Sequence, residues 1–257
     1  MEALNGGRAG KIWLEGNTVL RPAGPWTPTV HRFLRHLQSK GFLRAPTPIV
    51  INDTYEVVSY VEGRVCEHLG DPDVGSEQML ASAGQLLRYF HSASEGFLET
   101  DRAVQTWFLQ AQEPEEIVCH GDFAPYNVTA IDGIATGIID FDTAHPGPAL
   151  WDLAYAVYRW APLSDPSNHG VVFELEEQFQ RATIFCDAYG ATHEQRVQLP
   201  EVICRRLTAL VNFIRASAEA GDGTFVQNVE AGHADLYLRD IVHIQRRVDQ
   251  LILALTR

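Results

Sequence analysis

Short apolar runs broken by turn residues fill the chain up to about residue 63, and beyond it apolar residues recur at helical spacing. The first part predicts strands over Lys11 to Leu14, Thr18 to Arg21, Ile49 to Ile51 and Tyr55 to Val61. Between them lies a helix from Pro28 to Lys40. Thr27 can cap it, Pro28 suits its first position, Val30, Phe33, Leu34 and Leu37 share one face, and Gly41 follows its end. Past Gly63, Ser76 can cap a helix with Met79, Leu80, Ala83, Leu86, Leu87 and Phe90 on one side, and Leu150, Leu153, Ala154, Val157 and Trp160 form the apolar stripe of another. Further helical patterns run over Val172 to Tyr189, Pro200 to Ala220 and Ala234 to Thr256, with no internal repeat or low-complexity segment. The order predicts an α+β protein of two lobes. Residues 1–63 form a small lobe with a mixed β-sheet and one helix, joined by Tyr60-Val61-Glu62-Gly63 to a larger, mostly helical lobe, residues 64–257.

One strand pattern inside the helical part carries chemistry. Val128-Thr129-Ala130-Ile131 and Ile134-Ala135-Thr136-Gly137-Ile138-Ile139 flank Asp132-Gly133, a two-residue hairpin signal. A turn there pairs Ile131 with Ile134, sets Asn127 opposite Ile138, and returns Asp140 to the end of the hairpin that holds Asn127. Two oxygen ligands on neighbouring strand ends suit one hard, octahedral cation that keeps waters and phosphate oxygens in its shell. Asp122, in His120-Gly121-Asp122-Phe123-Ala124-Pro125-Tyr126-Asn127, can face the same space. Phosphoryl transfer asks for such a set: a carboxylate orients the attacking hydroxyl, and oxygen ligands hold magnesium against nucleotide phosphates.

Each of these residues also has a plainer role open to it. Asp122 can form a turn before Pro125, Asn127 can start the strand, and His120 can be a packed histidine that holds the loop. Asp142 can be a further metal ligand or a solvated carboxylate, and Asp152 can simply favour the helix dipole from a first turn. The fixed spacing of Asp122, Asn127 and Asp140 favours chemistry over coincidence.

The spacing H-G-D-x-x-x-x-N resembles the H-R-D-x-x-x-x-N catalytic loop of protein kinases. With the Gly at its centre, Ile139-Asp140-Phe141 after it and Trp151-Asp152-Leu153-Ala154 further on, the segment from His120 to Ala154 resembles the aminoglycoside phosphotransferase and choline-kinase-like superfamily. The resemblance implies a protein-kinase-like fold with the nucleotide in the cleft between the lobes, its adenine against the backbone around Ser59, Tyr60 and Val61. It implies Asp122 as catalytic base, Asn127 and Asp140 as ligands of Mg2+, and Asp152 as a support of the catalytic loop that His120 is read as holding. The implied donor is ATP or GTP.

The family pattern is thinnest near the N-terminus. Gly6-Gly7-Arg8-Ala9-Gly10-Lys11 lacks the residues of G-x-x-x-x-G-K-[ST]; it is either a glycine-rich turn over phosphates or a flexible end. Lys11 and Lys40 are the only lysines, so the resemblance puts Arg21 at the phosphate-contacting post. The helix that follows carries His31, Arg32, Arg35, His36 and Lys40 but no acid, which predicts an Arg21 without a partner, mobile until phosphate orders it.

Composition narrows the class. With 257 residues, 46% hydrophobic and 21% charged, the chain suits a globular protein of two lobes. It shows no span of roughly 20 apolar residues and no signal-peptide pattern, so a cytoplasmic location is expected. Cys66, Cys119, Cys186 and Cys204 have no metal-binding spacing and are expected to be reduced core residues. Net charge is −13, made of +2 over residues 1–63 and −15 over residues 64–257, which favours a small cationic acceptor such as an aminoglycoside or an amino-alcohol. A merely solvated acidic surface accounts for the same charge. No basic, aromatic-laced patch points to nucleic acid, and no membrane partner is indicated. The leading expectation is an O-phosphotransferase acting on a small hydroxylated molecule. The alternatives are a non-catalytic nucleotide-binding pseudokinase, favoured by the missing helix acid, and a glycosyltransferase using Asp140-Phe141-Asp142 as a metal-binding pair.

Overall fold

The computed structural model describes residues 2–4, 12–100, 104–168 and 172–257. Strands β1 (Glu2–Ala3), β2 (Trp13–Glu15), β3 (Thr18–Pro22), β4 (Pro48–Ile51) and β5 (Tyr55–Ser59) form one sheet in the order β1-β2-β3-β5-β4. Every pairing is antiparallel, not mixed as the sequence suggested. The long crossover after β3 delivers β4 beside β5 instead of beside β3, so no parallel neighbours arise.

That crossover is α1 (Thr27–Ser39). It starts one residue before the predicted Pro28 because Trp26 takes the cap position, while the Thr27 hydroxyl accepts the Gly24 N–H at 2.8 Å instead of capping. Val30, Phe33, Leu34 and Leu37 are buried, as their spacing required. The Phe33 ring meets Phe90, Phe97, Trp107 and Phe141 at centroid distances of 5.1–6.4 Å, so the helix of the first lobe shares one core with the rest.

After β6 (Arg64–Val65) come α2 (Pro72–Gly75) and α3 (Glu77–Ser94), the latter capped by Ser76, whose hydroxyl accepts the Met79 N–H at 3.2 Å. Strands β7 (Ile117–Cys119) and β10 (His145–Gly147) pair, and β8 (Val128–Ile131) lies between β6 and β9 (Ile134–Ile138). Asp132 (φ 52°) and Gly133 (φ 72°) make the left-handed turn that the Asp-Gly pair predicted. Ile131 does face Ile134, but a bulge at Thr136, opposite Thr129 and Ala130, moves the register by one residue. Val128 therefore faces Ile138, and the Asn127 carbonyl accepts the Ile139 N–H at 2.9 Å, with Asp140 immediately beyond.

Helices α4 (Ala149–Trp160), α5 (Leu175–Tyr189), α6 (His193–Glu219), α7 (Gly223–Glu230), α8 (His233–Gln245) and α9 (Val248–Leu255) complete the larger lobe. A Thr192–Gln195 capping box starts α6 well before Pro200, which lies inside the helix and does not begin it. The segment expected as one helix from Ala234 to Thr256 is broken at Arg246 and Arg247, where no Gly or Pro marks the break. The four cysteines are buried and free. Among the described residues no helix is long and apolar enough to cross a membrane.

Candidate active site

The loop from β7 to β8 is held from below by Asp152, in the first turn of α4. Its Oδ2 accepts the His120 N–H at 2.7 Å and its Oδ1 the Gly121 N–H at 2.9 Å, while His91 Nε2 lies 3.1 Å away. His91 in turn bonds the Tyr189 hydroxyl at 2.8 Å. Burial works to raise the Asp152 carboxyl, but the hydrogen bond and charge of His91, with the bond from His120, hold it at about 2. Gly121 sits at φ 81°, and a Cβ there would come within 2.4 Å of the Thr143 carbonyl, so the tight loop demands glycine. Its own carbonyl accepts from Arg206 of α6 at 2.7 Å. His120 Nε2 is 3.0 Å from the Ile139 carbonyl, linking the loop to the strand that leads to Asp140.

Above this base the polar groups converge. Asn127 Nδ2 donates to the Asp122 carbonyl and to Asp122 Oδ2, both at 2.9 Å. Two acceptors facing that nitrogen fix the amide orientation and leave its oxygen as the ligand-capable atom. Tyr126 donates its hydroxyl to Asp122 Oδ1 at 2.8 Å. Burial pushes the Asp122 carboxyl above its ordinary value, in spite of the Tyr126 bond. Asp140 adopts a left-handed backbone (φ 62°) that non-glycine residues rarely take, and keeps its side chain 43% exposed.

Arg21 is not the mobile, partnerless side chain that the sequence suggested. Its Nε donates to Glu56 Oε1 at 2.8 Å, its Nη1 to Asp140 Oδ1 at 3.0 Å and its Nη2 to Asp142 Oδ1 at 2.6 Å. The acid comes from the sheet, because register places Glu56 of β5 directly across from Arg21 of β3. Helix α1 contributes His31 instead, its Nε2 2.7 Å from Glu56 Oε2. Asp142 also accepts from Trp26 Nε1 at 3.1 Å, so it is engaged by protein donors and not solvated.

These side chains border a cavity of about 460 Å³ that Arg21, Glu56, Tyr60, Val61, Asp122, Asn127 and Asp140 all line. Tyr126 and Glu67 also line a second cavity of about 520 Å³, walled by Tyr158, Arg159 and Tyr237. No cluster of three or more His, Cys, Asp or Glu suited to a metal occurs among the described residues. A cation on the Asn127 and Asp140 oxygens would complete its shell with phosphate oxygens and water, a donor set that suits magnesium. The glycine-rich segment at residues 6–11 falls outside the described residues. Sequence reasoning missed Glu56, His31, His91 and Arg206. Only Glu56 left a signal there, as a lone acid in the apolar strand Tyr55-Glu56-Val57-Val58.

Comparison with known proteins finds similarity to phosphotransferases. Residues 95–182 match the model of a phosphotransferase enzyme family. The chain is 29% identical over 202 residues to a trifolitoxin immunity protein of Rhizobium leguminosarum bv. trifolii, covering 75% of each. A choline/ethanolamine kinase family protein from Mesorhizobium loti superposes with a TM-score of 0.62 at 15% identity, covering 99% of this chain and 92% of that one. The GDP complex of an aminoglycoside 2'-phosphotransferase gives 0.61 at 12% identity, over 98% and 92%. An amicoumacin kinase, in complex with AMP-PNP, Ca2+ and amicoumacin, gives 0.62 at 12% identity, over 91% and 81%. The chain has the two-lobe, kinase-like fold of these structures, and its His120 to Ala154 segment lies within the phosphotransferase family match.

Proposed function

We propose that the protein is a small-molecule kinase that moves the γ-phosphate of ATP or GTP to a hydroxyl group. The observation that carries this is the meeting of Asp122, Asn127, Asp140 and Arg21 on one cavity that adjoins a second across Tyr126. On this reading residues 1–63 cover the nucleotide, residues 64–257 carry the chemistry, and Tyr60 and Val61 line the adenine end of the cleft. Asp122 accepts a hydrogen bond from the acceptor hydroxyl and takes its proton late in the transfer. Its raised proton affinity suits that task, and the Asn127 and Tyr126 bonds fix its direction. Asn127 and Asp140 would hold magnesium, which when bound neutralises charge on the donor phosphates. Arg21 offers its guanidinium to the same phosphates, and His120 and Asp152 hold the loop in register.

The absence of an acid from α1 was what favoured a non-catalytic sensor, and Glu56 fills that post from the sheet. A glycosyltransferase using Asp140 and Asp142 fits poorly, since Arg21 and Trp26 already bind Asp142. The similarity to an immunity protein and to antibiotic kinases supports inactivation of a toxic compound as the setting. The test is calorimetric titration of nucleotide with and without magnesium. Wild type should bind tightly only with magnesium, and Asp140→Ala should abolish the difference; an unchanged magnesium effect would place the metal elsewhere.

A further inference from the structure

Arg159, in the last turn of α4, stands among tyrosines; its charge reaches the Asp122 carboxylate, but no carboxylate of the described residues pairs with it directly. Its guanidinium carbon lies 5.3 Å from the Tyr126 ring centroid and 5.9 Å from that of Tyr158. Among the described residues no ion pair or hydrogen bond engages it, and its buried Nε has no partner. A buried guanidinium N–H without an acceptor is costly, and the tyrosine rings offset only part of that cost. Arg159 lines the 520 Å³ cavity together with Tyr126, whose hydroxyl donates to Asp122.

The acids around that cavity do not offer a cation much. Asp240 is already engaged by protein donors: Oδ2 accepts the Tyr158 hydroxyl at 2.7 Å, and Oδ1 accepts the Asp165 N–H at 2.6 Å and Asn168 Nδ2 at 2.7 Å. Glu67 is exposed at the rim, and His68 and His233 also line the wall. The lobe's −15 charge raises the concentration of cations near its surface, but contact groups decide what is held inside.

We propose that the acceptor is a small hydroxylated molecule bearing an anionic group, carboxylate or phosphate, which Arg159 receives while the hydroxyl reaches Asp122 past the Tyr126 ring. The proposal rests on the kinase reading for the identity of this cavity as the acceptor site. A fork of two N–H donors matches either anion, and the tyrosine rings beside it lower the local polarity against which the pair forms.

The test is calorimetric binding by the full chain of glycerate, glycerol 3-phosphate, L-homoserine, glycerol and choline, for wild type, Arg159→Gln and Arg159→Lys. At least one carboxylate or phosphate compound should bind saturably and roughly tenfold or more tighter than glycerol and choline. Arg159→Gln should weaken it by at least about tenfold, and Arg159→Lys should restore part. Magnesium-nucleotide affinity and melting temperature serve as the control for folding. Comparison of the carboxylate and phosphate arms shows which anion the site takes. The proposal is overturned if no anionic compound binds, if choline binds as tightly, or if Arg159→Gln leaves the anion's affinity unchanged. If the anions bind as expected but no nucleotide transfers phosphate to any of them, the kinase reading fails and the anion site stands.

Discussion

Glu56→Gln isolates the ion pair that replaces the expected helix acid. The substitution keeps the shape and removes one charge from a side chain that is 1% exposed. In the wild type the carboxylate accepts from Arg21 Nε at 2.8 Å and from His31 Nε2 at 2.7 Å. A hydrogen bond to a charged group contributes about 1.5–3 kcal/mol. Glutamine keeps one acceptor oxygen but turns an NH2 group toward the other donor, so one bond is lost and the second weakened. The expected cost is about 2–4 kcal/mol, a fall in melting temperature of roughly 5–15 °C for a chain of this size. The pH dependence has a definite sign. Burial works to raise the Glu56 carboxyl, but the His31 bond and the Arg21 charge bring it below its ordinary value. Its contribution is therefore present above the unfolded carboxylate value and disappears as pH falls through the lower folded value. Melting curves of both proteins from neutral pH down through the carboxylate range should show the gap narrowing on acidification. A variant that melts within a degree of wild type throughout, or a gap that widens in acid, would refute the reasoning.

Two further outcomes follow from the loop and its base. Asp152→Ala should cost about 3–5 kcal/mol, because it strands the buried His120 and Gly121 N–H groups; denaturant unfolding checks this, and a loss under about 1 kcal/mol would make the contacts incidental. If Asp122 is the base proposed above, its raised carboxyl should place the acid limb of kcat/KM at a pH above the ordinary carboxylate value, and a limb at or below it would remove Asp122 as the group that titrates.

Much of the site could be read from the chain because it is local. His120, Asp122 and Asn127 share one loop, and a two-residue turn tells where Asp140 returns, to within the single residue that the bulge consumed. The bulge falls at Thr136, and the glycine next to it, Gly137, is the one mark it left in the chain. The environment of Arg21 could not be read, because it depends on cross-strand register between β3 and β5 and on how the lobes close over Asp140 and Asp142. His91 and Arg206 reach the loop from helices distant in sequence, and neither carries a local pattern that distinguishes it from other helical residues. The break between α8 and α9 was invisible for a similar reason: the apolar periodicity runs through Arg246 and Arg247 with no breaker residue.

The phosphoryl-transfer claim is tested most directly by following γ-labelled ATP and GTP with magnesium across a panel of hydroxylated acceptors, for wild type and Asp122→Asn side by side. Wild type should label at least one acceptor, and Asp122→Asn should lower that turnover by about 10²–10⁴-fold while nucleotide affinity and melting temperature stay close to wild type. Near wild-type turnover in Asp122→Asn, or no labelled acceptor with either nucleotide, would contradict it.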